Sequence, residues 1–425
     1  MVRFIGLDVH KRTIEVCVLD AEGRRLSRSS IGCSRAELVD FAEHQLQPED
    51  RVALEATTNT WAVTEILQPR VARVVVGNPL KTRAIAEAKV KTDKVDAQLL
   101  RCDYLPSVWQ PGPETRQLRK LTTARTSLTS DRTRVKNRIH AVLAQLLIEP
   151  PMAVLFTQKG RHWLEHVQLP EDDRLLITCE LGLLDAIEEQ LCRIEDKLAE
   201  LAHPNDQVRL LMTLPGIGFP AAQTLLAALG DLSRFKDGDH AAGYLGLVPS
   251  THQSATHCYH GHITKAGNSH ARWMLTQAAQ RLDRHPGPLG VFFRRLCRRK
   301  SRNVAVCAAA RKLVTIAFLL LKNNEPYRYA LPEPTEKKLS QLAYRATGER
   351  RRPQRILPPR RREPGERVTN VRALPDVYVR EGLPPATPPD RLPAGEQKML
   401  REHGVVAFVK TVQRPQRNVT RRSPE

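Results

Sequence analysis

Along its first hundred residues the chain alternates short apolar runs with amphipathic stretches. RFIGLDV (3–9) and TIEVCVL (13–19) are rich in strand-forming residues and stand too close together for a crossover helix. They predict an antiparallel hairpin. RRLSRSSI (24–31) follows as a third, edge strand. SRAELVDFAEHQL (34–46) opens on a cap-type serine, Ser34, and continues at helical spacing. RVALEA (51–56) and RVVVGN (73–78) read as strands, with TWAVTEILQP (60–69) between them as a helix that Pro69 ends. LKTRAIAEAK and TDKVDAQLLRCDYL return to helical spacing. Three strands followed by helix–strand alternation is the order of a ribonuclease-H-like mixed sheet. A plain doubly wound sheet would need a crossover helix between its first two strands.

Heptads then take over. Leu121, Leu128, Val135 and Val142 repeat every seven residues within 114–147, with Leu118, Ile139 and Leu146 beside them. Arg125 and Arg132 interrupt the second seam. Within 172–202, Leu184, Ile187, Leu191, Ile194, Leu198 and Leu201 keep a/d spacing. The two segments predict a coiled coil, either as an antiparallel hairpin or against another subunit. A mainly α-helical domain follows. From about 349 the chain turns Pro- and Arg-rich (RRRPQRILPPRRREPGER, LPPATPPDRLP), which predicts a largely disordered tail. The expected organisation is an α/β domain over 1–105, a helical hairpin over 106–205, a mainly α domain over 206–330 and a tail over 331–425.

Charge narrows the function. The 425 residues carry a formal +21 and a sequence pI near 10.0, an excess that points to a polyanion, above all nucleic acid. Arg116, Arg119, Lys120, Arg134, Lys136 and Arg138 make the first heptad helix strongly basic. Eight scattered cysteines without a Cys-x-x-Cys pair predict reduced, mostly buried thiols. No continuous apolar run is long enough to span a membrane, and MVRFIGLDVHK has no signal-peptide core. The expected location is the cytoplasm.

In so basic a chain, the acids that remain near strand ends stand out. Asp8 closes the first strand and Glu55 a later one. Asp93 and Asp96 lie three apart in KTDKVDAQLL, on one face of a helix. In a ribonuclease-H-like sheet the first strand is central and the later one lies beside it, so Asp8 and Glu55 become neighbours. Four carboxylates gathered this way repel unless a cation neutralises them, and hard oxygen ligands select Mg²⁺ or Mn²⁺ over zinc. Two such ions about 3.5–4 Å apart stabilise both the attacking and the leaving oxygen of a phosphodiester.

Further on, LMTLPGIGFPAAQTLLAALGD reads as a helix–hairpin–helix element. Gly216 and Gly218 allow a tight turn whose amides meet a phosphate beside a helix N-terminus, reading backbone rather than sequence. Ser254 then sits in a loop of small and polar residues after Pro249. His252, His257, Cys258, His260 and His262 around it invite a zinc reading, but the ligands are too crowded for the usual paired spacing. Lys265 and Arg272 are candidate phosphate contacts.

GLDVHK, LEAT, KTDKVDA, LMTLPGIG, YLGLVPS and GHITKAGNSHAR, in that order, resemble the DEDD transposases of the insertion-sequence one-ten family, and within it the one-one-one-one branch. SRNVAVCAAARKLVTIAFLLLKNNEPY resembles their C-terminal helices. The resemblance covers about residues 2–330 and implies a RuvC-like N-terminal domain, a coiled coil and a C-terminal transposase domain. It implies that Asp8, Glu55, Asp93 and Asp96 bind metal and that Ser254 is a nucleophile forming a phosphoserine link to DNA. The family usually carries Ser-Ser-Gly at that point. Here Gln253-Ser254-Ala255 keeps the second serine and loses the glycine, with Ser250 as the fallback. Donor and target DNA, a guide RNA from the element's own non-coding end, a dimer or tetramer, and a nucleoid-associated place in a prokaryotic cell complete what the resemblance implies. A ribonuclease-H-like nuclease needing only the acids, and a non-catalytic nucleic-acid binder, are the alternatives.

Overall fold

The computed structural model describes residues 2–79, 97, 99–254, 257–350, 356–358 and 366–421. It divides into two compact units, Met1–Gly112 and Pro113–Glu425.

The first unit is built on five strands: β1 (Phe4–Val9), β2 (Thr13–Leu19), β3 (Arg25–Gly32), β4 (Arg51–Glu55) and β5 (Arg73–Gly77). Their order is β3-β2-β1-β4-β5, antiparallel through the first three and parallel from β1 to β4 to β5. This mixed sheet is consistent with a ribonuclease-H-like domain. All five strands fall on the segments predicted for them, β3 as the polar, exposed edge. Helix α1 (Arg35–His44) starts at Ser34, whose side chain and that of Glu37 cap each other's backbone N–H groups. Helix α2 (Thr60–Leu67) gives way to a 3₁₀ turn containing Pro69. Successive strand residues face opposite sides of the sheet. Ile5, Leu7, Val52, Leu54, Val74 and Val76 pack on Leu38, Phe41, Val63 and Leu67 of the two helices. On the other side Phe4, Cys17, Ala53 and Val75 bury Ala97 and Leu100. The predicted helix over 80–89 and both Asp93 and Asp96 lie outside the described residues.

The second unit opens with α3 (Pro113–Gln145), α4 (Gln158–His166) and α5 (Glu171–Ala202). Arg125 pairs with Glu195, Lys136 with Glu188 and Arg138 with Glu180, so α3 and α5 run antiparallel. Val135, Ile139 and Leu143 pack on Ile177, Leu184 and Ile187. The buried set departs from the expected heptad seam. Leu143 is fully buried where Val142 and Leu146 are only partly so, because an α-helix drifts off a strict seven-residue repeat. Leu155 and Leu164 join the same cluster.

Beyond α5 come α6 (Asp206–Met212), α7 (Phe219–Leu229), α8 (Gly238–Tyr244), the hairpin β6 (Pro249–Ser254) and β7 (His257–Ile263), α9 (Ser269–Gln280), α10 (Pro288–Cys297), α11 (Arg302–Asn323) and α12 (Pro332–Thr347). Helix α11 is long and apolar enough to cross a membrane by length and composition, contrary to the expectation from continuous apolar runs. Arg311 and Lys312 divide the run in the sequence without stopping the helix. Its Ala305, Ala309, Leu313, Val314 and Ala317 are instead the centre of this unit's core.

The expected disordered tail needs correction over 366–421. These residues form β8 (Glu366–Val371), α13 (Leu374–Arg380), α14 (Ala394–Glu402), α15 (Val406–Val412) and β9 (Gln416–Arg421). Leu374, Val377, Tyr378, Leu400 and Val409 enter the same core as α11. Tyr378 Oη donates to the Tyr327 carbonyl at 2.6 Å. Arg328 bridges Glu325 and Glu396 at 2.7 and 2.8 Å, and the Thr387 amide donates to Glu325. Burial pushes the Glu325 carboxyl up, but hydrogen bonds from Arg328 and Thr387 outweigh it and hold the group at about 2. A few well-spaced apolar residues suffice to fold a segment whose overall composition is polar. The thiols also depart from expectation. Cys17 is buried, whereas Cys102, Cys179, Cys192 and Cys258 are exposed.

Candidate functional site

The carboxylates of the first unit are placed by strand register. In the parallel pair β1–β4, Leu7 stands beside Leu54, so Asp8 and Glu55 are the next residues on adjacent strands. In the antiparallel pair, Asp8 stands opposite Glu15 of β2. Directly paired strand residues point to the same side. Glu15, Asp8 and Glu55 therefore make a row across three strands, on the side that buries Ala97 and Leu100. Sequence reasoning missed Glu15. Its signal was a lone charge between Ile14 and Val16, brought opposite Asp8 once the hairpin register is fixed.

Each of the three is half-buried. The Oε1 atom of Glu55 is shut off from solvent. Asp8 lies 3.4 Å from the imidazole of His10, and Glu15 3.7 Å from Arg28. The end of β4 is braced by Thr60, whose hydroxyl donates to the carbonyls of Glu55 and Thr57 at 3.2 and 2.9 Å. This is an all-oxygen donor set of like charges held on rigid strands, which suits a hard divalent cation. A second group of possible ligands, His162, Glu165 and His166, lies exposed on α4.

In the second unit, Gly216 takes φ +77 and Gly218 caps the start of α7. A Cβ on Gly216 would stand 2.7 Å from the Ala278 carbonyl, so α9 approaches the turn too closely for any other residue. Ser254, expected in a loop, ends β6 with its backbone paired to His257. The structure describes its backbone alone, as it does for His252, His257 and His260. The Ser250 hydroxyl packs over Gly261 of the partner strand, where a Cβ would meet it at 2.5 Å. Lys265 is exposed at φ 55, in a turn whose amide donates to the Gly246 carbonyl. Arg272 has an internal role. Its Nη1 donates to the carbonyls of Leu245, Ala266 and Gly267, and burial lowers its pKa.

Comparison with known proteins joins these observations. A family model described as "Transposase", of the DEDD IS110 type, matches residues 5–148. A second, described as "Transposase IS116/IS110/IS902 family", matches residues 208–290. The chain is 26% identical to the "Pilin gene-inverting protein" of Moraxella bovis, over 76% of this chain and 97% of that one. It is 26% identical to the "Transposase for insertion sequence element IS1328" of Yersinia enterocolitica, over 75% and 96%. It is 23% identical to the "Transposase for insertion sequence element IS1111A" of Coxiella burnetii, over 77% and 92%. Two family models matched in order, one holding the acid row and the other the glycine turn and Ser254, lead to one assignment: the chain belongs to the IS110 family of transposases.

Proposed function

We propose that this transposase cuts and rejoins DNA through a divalent-metal site made by Asp8, Glu55, Asp93 and Asp96, with Ser254 as the nucleophile. The observation that carries the reading is the placement of Asp8 beside Glu55 at the ends of adjacent parallel strands. Asp93 and Asp96 belong to the reading by sequence, since they lead directly into Ala97, which is buried against the same side of the sheet. Mg²⁺ or Mn²⁺ held there would neutralise charge on a phosphodiester under attack. Glu15 extends the row of carboxylates by one strand.

The strand chemistry follows from the nucleophile. Ser254 Oγ bonds to phosphorus as it loses its proton, and the P–O bond to one deoxyribose breaks as that oxygen takes up a proton. A hydroxyl of a second strand then attacks the phosphoserine and releases Ser254. The excess positive charge suits DNA donor and target and a guide RNA, with base pairing supplying the sequence choice that phosphate contacts lack. Lys265, exposed, is a proposed phosphate contact, as is the turn at Gly216 and Gly218. The α3–α5 hairpin is read as a coiled-coil arm, the assembly as a homo-oligomer, and the location as the cytoplasm near the nucleoid.

The test is covalent trapping. Protein, Mg²⁺, RNA transcribed from the gene's flanks and end-labelled donor DNA are incubated and run on a denaturing gel. A protein–DNA adduct that Ser254→Ala removes supports the serine route. Cleavage without an adduct, lost in Asp8→Asn and kept in Ser254→Ala, replaces it with hydrolysis by water.

A further inference from the structure

A cavity of about 450 Å³ lies in the second unit, between the turn that joins α6 to α7, the 3₁₀ turn Arg281–Arg284 and α12. Arg281, Arg284, Lys337 and Lys338 line it, and among the described residues no carboxylate does. Two nearby acids are occupied elsewhere. Asp283 pairs with Arg302, and Glu336 with Arg372 and Arg380. Like charges converging without a counter-charge are costly unless an anion joins them.

Three further features point the same way. The first is His285, on the cavity wall and only 4% exposed. The Gly287 amide donates to its Nδ1 at 3.1 Å, so Nδ1 is the bare nitrogen and Nε2 carries the proton. Nε2 is buried and has no hydrogen-bond partner among the described residues. Burial, with Arg294 and Lys338 nearby, lowers its pKa to about 4, which keeps the ring a neutral donor. A buried donor without an acceptor calls for one.

The second is Gly218. Its φ is −103, which any residue adopts, and a Cβ there would meet nothing nearer than Pro220 Cδ at 3.8 Å. Packing and backbone conformation therefore leave the glycine unexplained, while its missing side chain opens the N-terminus of α7 to the cavity. The third is Lys338, whose Nζ donates to the carbonyls of Met212, Leu214 and Ile217 and so fixes the turn from behind. Burial lowers Lys338 to about 7, while Arg281, Arg284 and Lys337, all exposed, line the cavity as cations.

We infer that this cavity seats a backbone phosphate of nucleic acid, with the turn at Gly216 and Gly218 as its floor and Arg281, Arg284 and Lys337 as its clamp. The inference rests on the strand-transfer reading and adds to it a composite site. Lys337 and Lys338 come from α12, beyond the last residue, 290, that the family models match.

Salt-dependent binding tests it, using the full chain and a labelled DNA duplex of arbitrary sequence. Each phosphate contact contributes about one unit to the slope of log K against log salt. Replacing Arg281, Arg284 and Lys337 together by Ala should reduce the slope by about one unit, the share of one phosphate. The charge-preserving set Arg281→Lys, Arg284→Lys, Lys337→Arg should keep it. Gly218→Ala should fold normally and weaken binding about tenfold, the equivalent of one lost hydrogen bond. An unchanged slope in the triple Ala variant, with wild-type melting, overturns the inference alone. A wild-type chain that binds no duplex overturns the strand-transfer reading as well. Calorimetry with inorganic phosphate separates the sources. Phosphate binding lost in the triple variant while the duplex slope stays unchanged would mean a small-anion site and defeat the nucleic-acid assignment.

Discussion

The carboxylates of the first unit and the cations of the second are gathered by different means. Glu15, Asp8 and Glu55 are brought together by hydrogen-bonded strands, and their spacing is fixed by the pleat. Arg281, Arg284 and Lys337 converge from a 3₁₀ turn and a helix that are separated by the whole of α10 and α11. The first arrangement is robust, because one residue of slip would turn every side chain of a strand over. The second depends on packing at a distance, so it should be easier to perturb without unfolding.

Five substitutions probe that contrast. The largest effect belongs to the strands. Asp8→Asn removes one charge from the row and should cut strand cleavage by at least about 100-fold with DNA affinity retained. Comparable cleavage would remove Asp8 from the chemistry. Next, Lys338→Ala removes a donor from three carbonyls, of which that of Leu214 keeps the Ile217 amide. It should lower stability in chemical denaturation by about 2–4 kcal/mol. A loss under half a kilocalorie would show that the turn stands unaided.

His285 offers a pH test of the same wall. Its folded pKa, about 4, lies below the ordinary 6.5, so the unfolded chain binds the extra proton between those values. Its contribution is present above pH 6.5 and is lost as pH falls toward 4. The full amount is up to about 3 kcal/mol. His285→Gln should flatten the fall in stability measured between pH 7 and 4.5. The smallest effect separates the two glycines. Gly216→Ala should cost about 1–2 kcal/mol from the positive φ and the Ala278 carbonyl, and Gly218→Ala close to nothing. Equal costs would erase the distinction drawn between them.

Local signals in the sequence accounted for much of the first unit. The gap between Leu7 and Ile14 is too short for anything but a hairpin, and Ser34 with Glu37 spells a helix start. With the helix–strand alternation that follows, they give the order of a ribonuclease-H-like sheet, in which β1 is central and Asp8 and Glu55 are neighbours. Glu15 was less legible, since its role depends on register rather than on its own neighbours. In the second unit, Leu143 is buried off the expected seam, where helical drift turns it toward Leu164 of α4 and Ile177 of α5. Lys338 and His285 were invisible for a different reason. Nothing in EKKLSQ marks one lysine as reaching three carbonyls more than a hundred residues upstream. Composition misled over 366–421, where Tyr378 and its neighbours outweigh a Pro- and Arg-rich surround.

Helix α3 is continuous from the carbonyls of Ala227 and Ala228, which Arg119 holds, to the separate cluster around Ile139 and Leu143. At 1.5 Å per residue its 33 residues make a strut about 50 Å long. A tilt of about 5° at Arg119 would sweep the Gln145 end, about 39 Å away, through about 3.4 Å, more than the length of a hydrogen bond. The arm thus has mechanical gain. A small repacking under α7 would be read at the far tip as a whole-contact displacement, and a load on the tip would be felt at α7 with the same multiplication.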